Sequence, residues 1–136
     1  ADKFMFHTYG ANPTSCAAGR AVLEVIREDK VQQNAKEVGA ALYQRLLDLK
    51  QRHDVIGDVR GRGLMLAIEM VKDRKTKEPD RDITAAVFEN CRDSGLILSK
   101  SGPTQSTLRM VPPMCLSLED VDAVAEGLDQ AFTALT

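Results

Sequence analysis

Neither sign of charge is in marked excess in this sequence: 18 basic against 20 acidic residues leave a net charge of −2. A nucleic-acid or anionic-membrane binder would normally carry a basic face, so this balance argues against both. No apolar run reaches the length of a membrane span, and the start, ADKFMFHTYGANP, lacks the charged-then-apolar pattern of a signal peptide. It also lacks an initial methionine, so the chain is expected to be a fragment or a processed product. Cysteine is scarce: Cys16, Cys91 and Cys115 are odd in number and far apart. Without a CxxC or Cys/His cluster, neither a disulfide framework nor a zinc site is indicated, and buried free thiols are the expectation. Internal repeats and low-complexity tracts are also missing. What remains fits one soluble domain with an ordinary apolar content of 43%.

The stretch VIGDVRGRGLMLAIEMV, from Val55 to Val71, organises the rest. Two apolar runs joined at Gly61-Arg62-Gly63 read as a hairpin, with glycine supplying the positive φ of a tight turn. The run from Leu64 to Ile68 is apolar at nearly every position, which predicts a central strand covered on both faces. Before it, Asn12 and Pro13 form an N-cap and first helical residue. The helix they start has Ala18, Ala21, Val22, Val25 and Ile26 on one face, and its small-residue front half hints at a tightly packed partner. A second helix is predicted over residues 31–50, with Val31, Ala35, Val38, Leu42, Leu46 and Leu49 as its stripe.

After the hairpin, residues 72–82 form a polar surface loop with Pro79. Asp82 is placed to cap a third helix with Ile83, Ala86, Val87, Asn90 and Cys91 inward, and Gly95 stands at its left-handed end. Leu96-Ile97-Leu98 reads as a short strand, residues 100–105 as a loop, and Thr107 to Val111 as a strand stopped by Pro112-Pro113. Ser117 with Asp120 resembles a capping box, opening a last helix with Val121, Val124, Leu128, Phe132 and Leu135 on one stripe. This order predicts an α+β fold, with a small, mostly antiparallel sheet of about three or four strands packed against helices.

Candidate chemistry is sparse. Arg109, mid-strand, offers a planar fork for a carboxylate, although an edge-strand arginine in water or a structural salt bridge is the plainer account. Gly61-Arg62-Gly63 leads into a strand, whereas a phosphate loop leads into a helix. Thr8 to Pro13, ahead of a capped helix, is the better anion site: it has a hydroxyl, a glycine and free backbone N–H groups, though a plain cap explains it too. His7 and His53 lie at no catalytic or metal spacing and read as ordinary surface or packing histidines. Lys100, imagined as a Schiff-base lysine, has the neighbours of a solvated loop. The residues alone yield no convincing nucleophile, general base or metal site.

Four stretches, HTYGANPTSCAAG, GDVRGRGLMLAIEMV, SGLILSK and TLRMVPPMCLSLEDVD, together resemble the C-terminal part of class-III, pyridoxal-phosphate-dependent aminotransferases of fold type I. The wording around HDVIGDVRGRGLMLAIEMV and RMVPPMC is most similar to the alanine–glyoxylate branch. The resemblance implies a lead-in segment and linking helix over residues 1–29 and the family's small C-terminal domain over residues 30–136. It implies that Thr8, in the T-[FY]-G-x-N-P motif, reaches the pyridoxal 5′-phosphate phosphate of the other subunit of a homodimer. Arg109, before the Pro-Pro step, would bind the α-carboxylate of an amino acid or 2-oxo acid. Ala11 stands where many members have glycine. The family's cofactor lysine, its aspartate partner and its stacking aromatic belong to a region upstream, so this stretch alone is expected to be inactive. Ornithine or 4-aminobutyrate aminotransferase is the alternative within the class. Outside it, the alternative is a non-catalytic module that self-associates or binds a partner. Free thiols suit the mitochondrial matrix or the cytoplasm equally.

Overall fold

The computed structural model describes residues 7–135. The chain divides into two compact units, residues 1–32 and residues 33–136. In the first, α1 spans Pro13–Glu28. Its start follows from local chemistry: Asn12 Oδ1 accepts from the Ser15 N–H at 3.1 Å, and Pro13 occupies the first turn, where a missing N–H costs nothing. The helix buries no residue, and Val22, Leu23 and Val25 are all more than half exposed.

The second unit holds the sheet and its helices. Helix α2 runs Val31–Arg52 and ends in a C-cap supplied from elsewhere: Arg74 donates to the carbonyls of Lys50 and His53. The hairpin follows, with β1 at Ile56–Arg62 and β2 at Met65–Met70, paired antiparallel. Arg62 pairs with Met65, so the turn is Gly63-Leu64 rather than Gly61-Arg62-Gly63, and Gly61 and Arg62 belong to the strand. Gly63 takes φ +55°, which the tight turn demands.

Helix α3, Arg81–Asp93, is capped by Asp80, whose Oδ1 accepts from the Ile83 N–H; Asp82 sits in the first turn instead of at the cap. Its buried face is Thr84, Val87 and Cys91, while Ala86 is exposed. The helix closes as expected at Gly95, φ +79°. The Gly95 N–H donates to the Arg92 carbonyl and the Leu96 N–H to the Cys91 carbonyl. Strand β3 lies at Ser99–Ser101 and not at Leu96–Leu98: the tight helix exit consumes the leucine-rich segment before pairing begins. Strand β4, Thr107–Met110, follows, and α4, Leu118–Thr133, opens with the full capping box of Ser117 and Asp120. Ser117 donates to the Asp120 carboxyl twice, and these bonds, the backbone N–H first and the hydroxyl second, hold it below its usual range.

The sheet is four-stranded and antiparallel throughout, in the order β1-β2-β4-β3, which is the α+β architecture expected. One face makes the core. Leu66, Ile68 and Met70 of β2 and Leu108 and Met110 of β4 join Leu42, Leu46 and Leu49 of α2, Val87 of α3 and Leu128 of α4 in one apolar cluster. Burial along β2 alternates, with Met65 exposed and Ala67 and Glu69 only half-buried. The expectation of a strand covered on both faces is therefore wrong for this unit: the apolar residues Met65 and Ala67 lie on an open face. Of the thiols, Cys91 is buried, but Cys16 and Cys115 are exposed. No helix among the described residues is long and apolar enough to cross a membrane.

Candidate functional site

A strand with one buried face presents every second residue to the other side. In β4, Leu108 and Met110 enter the core, so Arg109 between them must stand on the open face. The register places Ala67 of β2 directly opposite it on one side and Ser99 of β3 on the other. Both neighbours are small, so the plane of the guanidinium is not shaded by its own sheet. Arg109 is exposed and forms no ion pair or side-chain hydrogen bond among the described residues. A guanidinium is always charged and has five donors in a fixed fork, so an unpaired one flanked by small residues is built to take a planar anion.

The row continues to Arg60 of β1, which pairs with Ala67 on the far side. This second arginine is occupied. Its Nη1 donates to Asp58 Oδ2 at 2.9 Å and to Glu69 Oε2 at 2.5 Å. The two carboxylates raise its pKa, Asp58 more than Glu69, and fix it as a closed ion cluster. On the open face, then, Arg60 is held in an ion cluster, whereas Arg109 forms no ion pair among the described residues.

Lys100 is settled by the same alternation. It lies in β3, opposite Leu108, and so points to the face opposite Arg109, where its Nζ sits 4.8 Å from the Phe88 ring centroid. A strand position, rather than a loop, keeps it on the face away from Arg109. Thr8 lies in the exposed turn of residues 8–11, where Ala11 adopts φ +58° and the Gly10 N–H donates to the His7 carbonyl. The Thr8 hydroxyl makes no hydrogen bond to a described residue. Fewer backbone donors are free here than the sequence suggested. Pro13 has none, and Asn12 takes Ser15 through its side chain and Cys16 through its carbonyl. An anion at this turn would be met by the hydroxyl and the turn's own amides more than by the helix end.

His53 is a structural group that its sequence position did not reveal. Its Nε2 donates to Asp129 Oδ1 at 2.6 Å, and its ring stacks on Phe132 with centroids 5.1 Å apart. Arg52 donates to the other Asp129 oxygen at 2.5 Å, so the pair Arg52-His53 ties the end of α2 to α4. Arg74, which caps α2, and Gly39, whose Cα faces the Gly63 backbone, were likewise silent in the sequence, because each acts through backbone that is distant along the chain.

The fold and the free arginine can be set beside known proteins. A profile described as "Aminotransferase class-III" matches residues 5–132. The chain belongs to the class-III aminotransferase family. A mitochondrial alanine–glyoxylate aminotransferase 2 homolog from Arabidopsis thaliana is 41% identical over 130 residues, which is 96% of this chain and 27% of that protein. Among solved structures, an amine transaminase from an uncultivated Pseudomonas species, in its pyridoxal-phosphate-bound form, superposes with a TM-score of 0.87 at 30% identity. That match covers 98% of this chain and 30% of the other. An Arthrobacter phospholyase in complex with phosphoethanolamine gives a TM-score of 0.90 at 30% identity, over 98% of this chain and 32% of the other. The chain thus spans between a quarter and a third of the proteins it matches.

Proposed function

We propose that this chain is the carboxylate-recognising part of a pyridoxal-phosphate-dependent aminotransferase that moves an amino group from an amino acid to a 2-oxo acid, with alanine and glyoxylate as the favoured pair. One observation carries the reading: an arginine without an ion pair, Arg109, held on a rigid strand between Ala67 and Ser99 in a member of the class-III family. Pyridoxal phosphate, when bound, supplies the electron sink that makes amino-group exchange possible. The chain's own residues do the positioning. Arg109 grips the α-carboxylate of donor and acceptor alike through two parallel N–H···O bonds, which fixes the orientation of the carbon that changes oxidation state. Thr8 offers its hydroxyl to the cofactor phosphate across a homodimer interface. The name of the Arabidopsis relative favours a mitochondrial compartment.

Replacing Arg109 in the full-length enzyme is the direct test. R109A is expected to raise KM for both the amino donor and the oxo acid by roughly tenfold or more, the value of a lost hydrogen-bonded charge pair. R109K keeps the charge without the fork and is expected to recover only part of it. Unchanged KM values for both substrates in R109A would overturn the assignment. Steady-state rates with alanine, ornithine and 4-aminobutyrate as donors decide among the branches of the family.

A further inference from the structure

Arg60 and Arg109 occupy equivalent places on the open face, one on each side of Ala67. One pair further along β2, Glu69 lies opposite Asp58 of β1 and Thr107 of β4. Glu69 is therefore the diagonal neighbour of both arginines. Diagonal cross-strand residues lie about 7–8 Å apart, within reach of long side chains. Only one arginine has taken it: Arg60 bonds Glu69 and Asp58 together, and Arg109 bonds neither.

We propose that Arg60 is a positioning residue for substrate binding, which keeps Arg109 open by holding Glu69 away from it. The inference rests on the reading of Arg109 as the carboxylate site. Glu69 is tethered beside that site and so competes at a high effective concentration with any carboxylate arriving from solution. Left unpaired, it would both occupy the Arg109 fork and repel the incoming anion. Bound to Arg60, its charge is partly offset and its oxygens are turned toward β1. Asp58 adds to the need for Arg60: it lies directly opposite Glu69, and the shared guanidinium offsets a like-charge repulsion that would otherwise push Glu69 toward Arg109. Ala67, between the two arginines, has too short a side chain to stand between Glu69 and either of them.

The experiment compares wild type, R60M, R60M/E69Q and R109A in the full-length holoenzyme, with thermal melting to confirm folding. The Arg60 side chain is about half exposed, so its loss opens no cavity in the core. R60M is expected to raise KM for the amino donor about two- to fivefold, the worth of an exposed ion pair formed in competition. Its kcat is expected to change less. Adding E69Q removes the competitor and is expected to return KM to the wild-type value, which a general structural role for Arg60 would not predict. If R60M fails to fold, R60Q, of similar length and without the charge, is read in the same way. An R60M effect that E69Q does not reverse overturns the proposal, as does an unchanged KM in R60M when R109A raises it. An unchanged KM in R109A itself overturns the carboxylate site, and the role of Arg60 falls with it.

Discussion

Asp129 shows how much a single side chain carries here. The His53 hydrogen bond first, and Arg52 second, hold its carboxyl below the ordinary carboxylate range. A carboxyl whose pKa is lower when folded than when unfolded adds stability above the unfolded value of roughly 4, and that stability is lost as pH falls through the folded value. Asp129→Asn removes this contribution. Its melting temperature is expected to lie below that of wild type near neutrality, and the gap is expected to narrow as the pH is taken from about 6 to about 3. A gap that stays constant over that range would show that Asp129 acts through packing and not through charge. Arg109 was legible in the sequence because its neighbours Leu108 and Met110 define a strand face. His53 was not, because Asp129 and Phe132 lie more than 70 residues away along the chain. Lys100 was misplaced in a loop for a related reason: Ser, Lys and Ser have little strand propensity, and only the pairing with β4 makes them a strand.

Caps and stripes made the elements readable. Asn12, Ser117 with Asp120, and Gly95 each act within a few residues of themselves, and all three stand where the sequence put them. The stripe of α2 was read correctly from Val38 to Leu49 for the same reason. Errors arose where partners are remote. The two-sided burial predicted for β2 assumed that an apolar run needs two covers, whereas Met65 and Ala67 look outward. Gly39, in the middle of α2, reads as a mere weakness in a helix, yet a Cβ there would drive into the backbone of Gly63 in the hairpin turn. The helix and the turn touch backbone to backbone. Gly39→Ala, ordinarily favourable in a helix, is therefore expected to destabilise by about 1–3 kcal/mol, because rigid main chain cannot give way. Chemical denaturation of the full-length protein measures it, and a stabilised G39A would show that the turn moves freely.

On the scale of the whole molecule, the chain spans between a quarter and a third of the length of the relatives described above. On the proposed reading, Thr8 acts on a cofactor held by another subunit. Thr8→Ala is then expected to weaken pyridoxal phosphate binding by roughly five- to tenfold, about one hydrogen bond to a charged group. Titration of the apoenzyme followed by visible absorbance measures it, with KM for the amino donor little altered. Equal cofactor affinity in T8A would remove Thr8 from the phosphate site. The lower-level features and this one differ in how natural variation would record them. A Cβ at Gly39 would strike the Gly63 backbone, and Gly63 itself holds a left-handed φ of +55°, so on the proposed reading selection would reject changes at both as it would at Arg109. A ranking of positions by their invariance would return all three together and invite a shared explanation. The kind of loss separates them: variants at 39 and 63 would disappear from the pool of folded protein, whereas variants at 109 would accumulate as folded enzyme that turns over slowly.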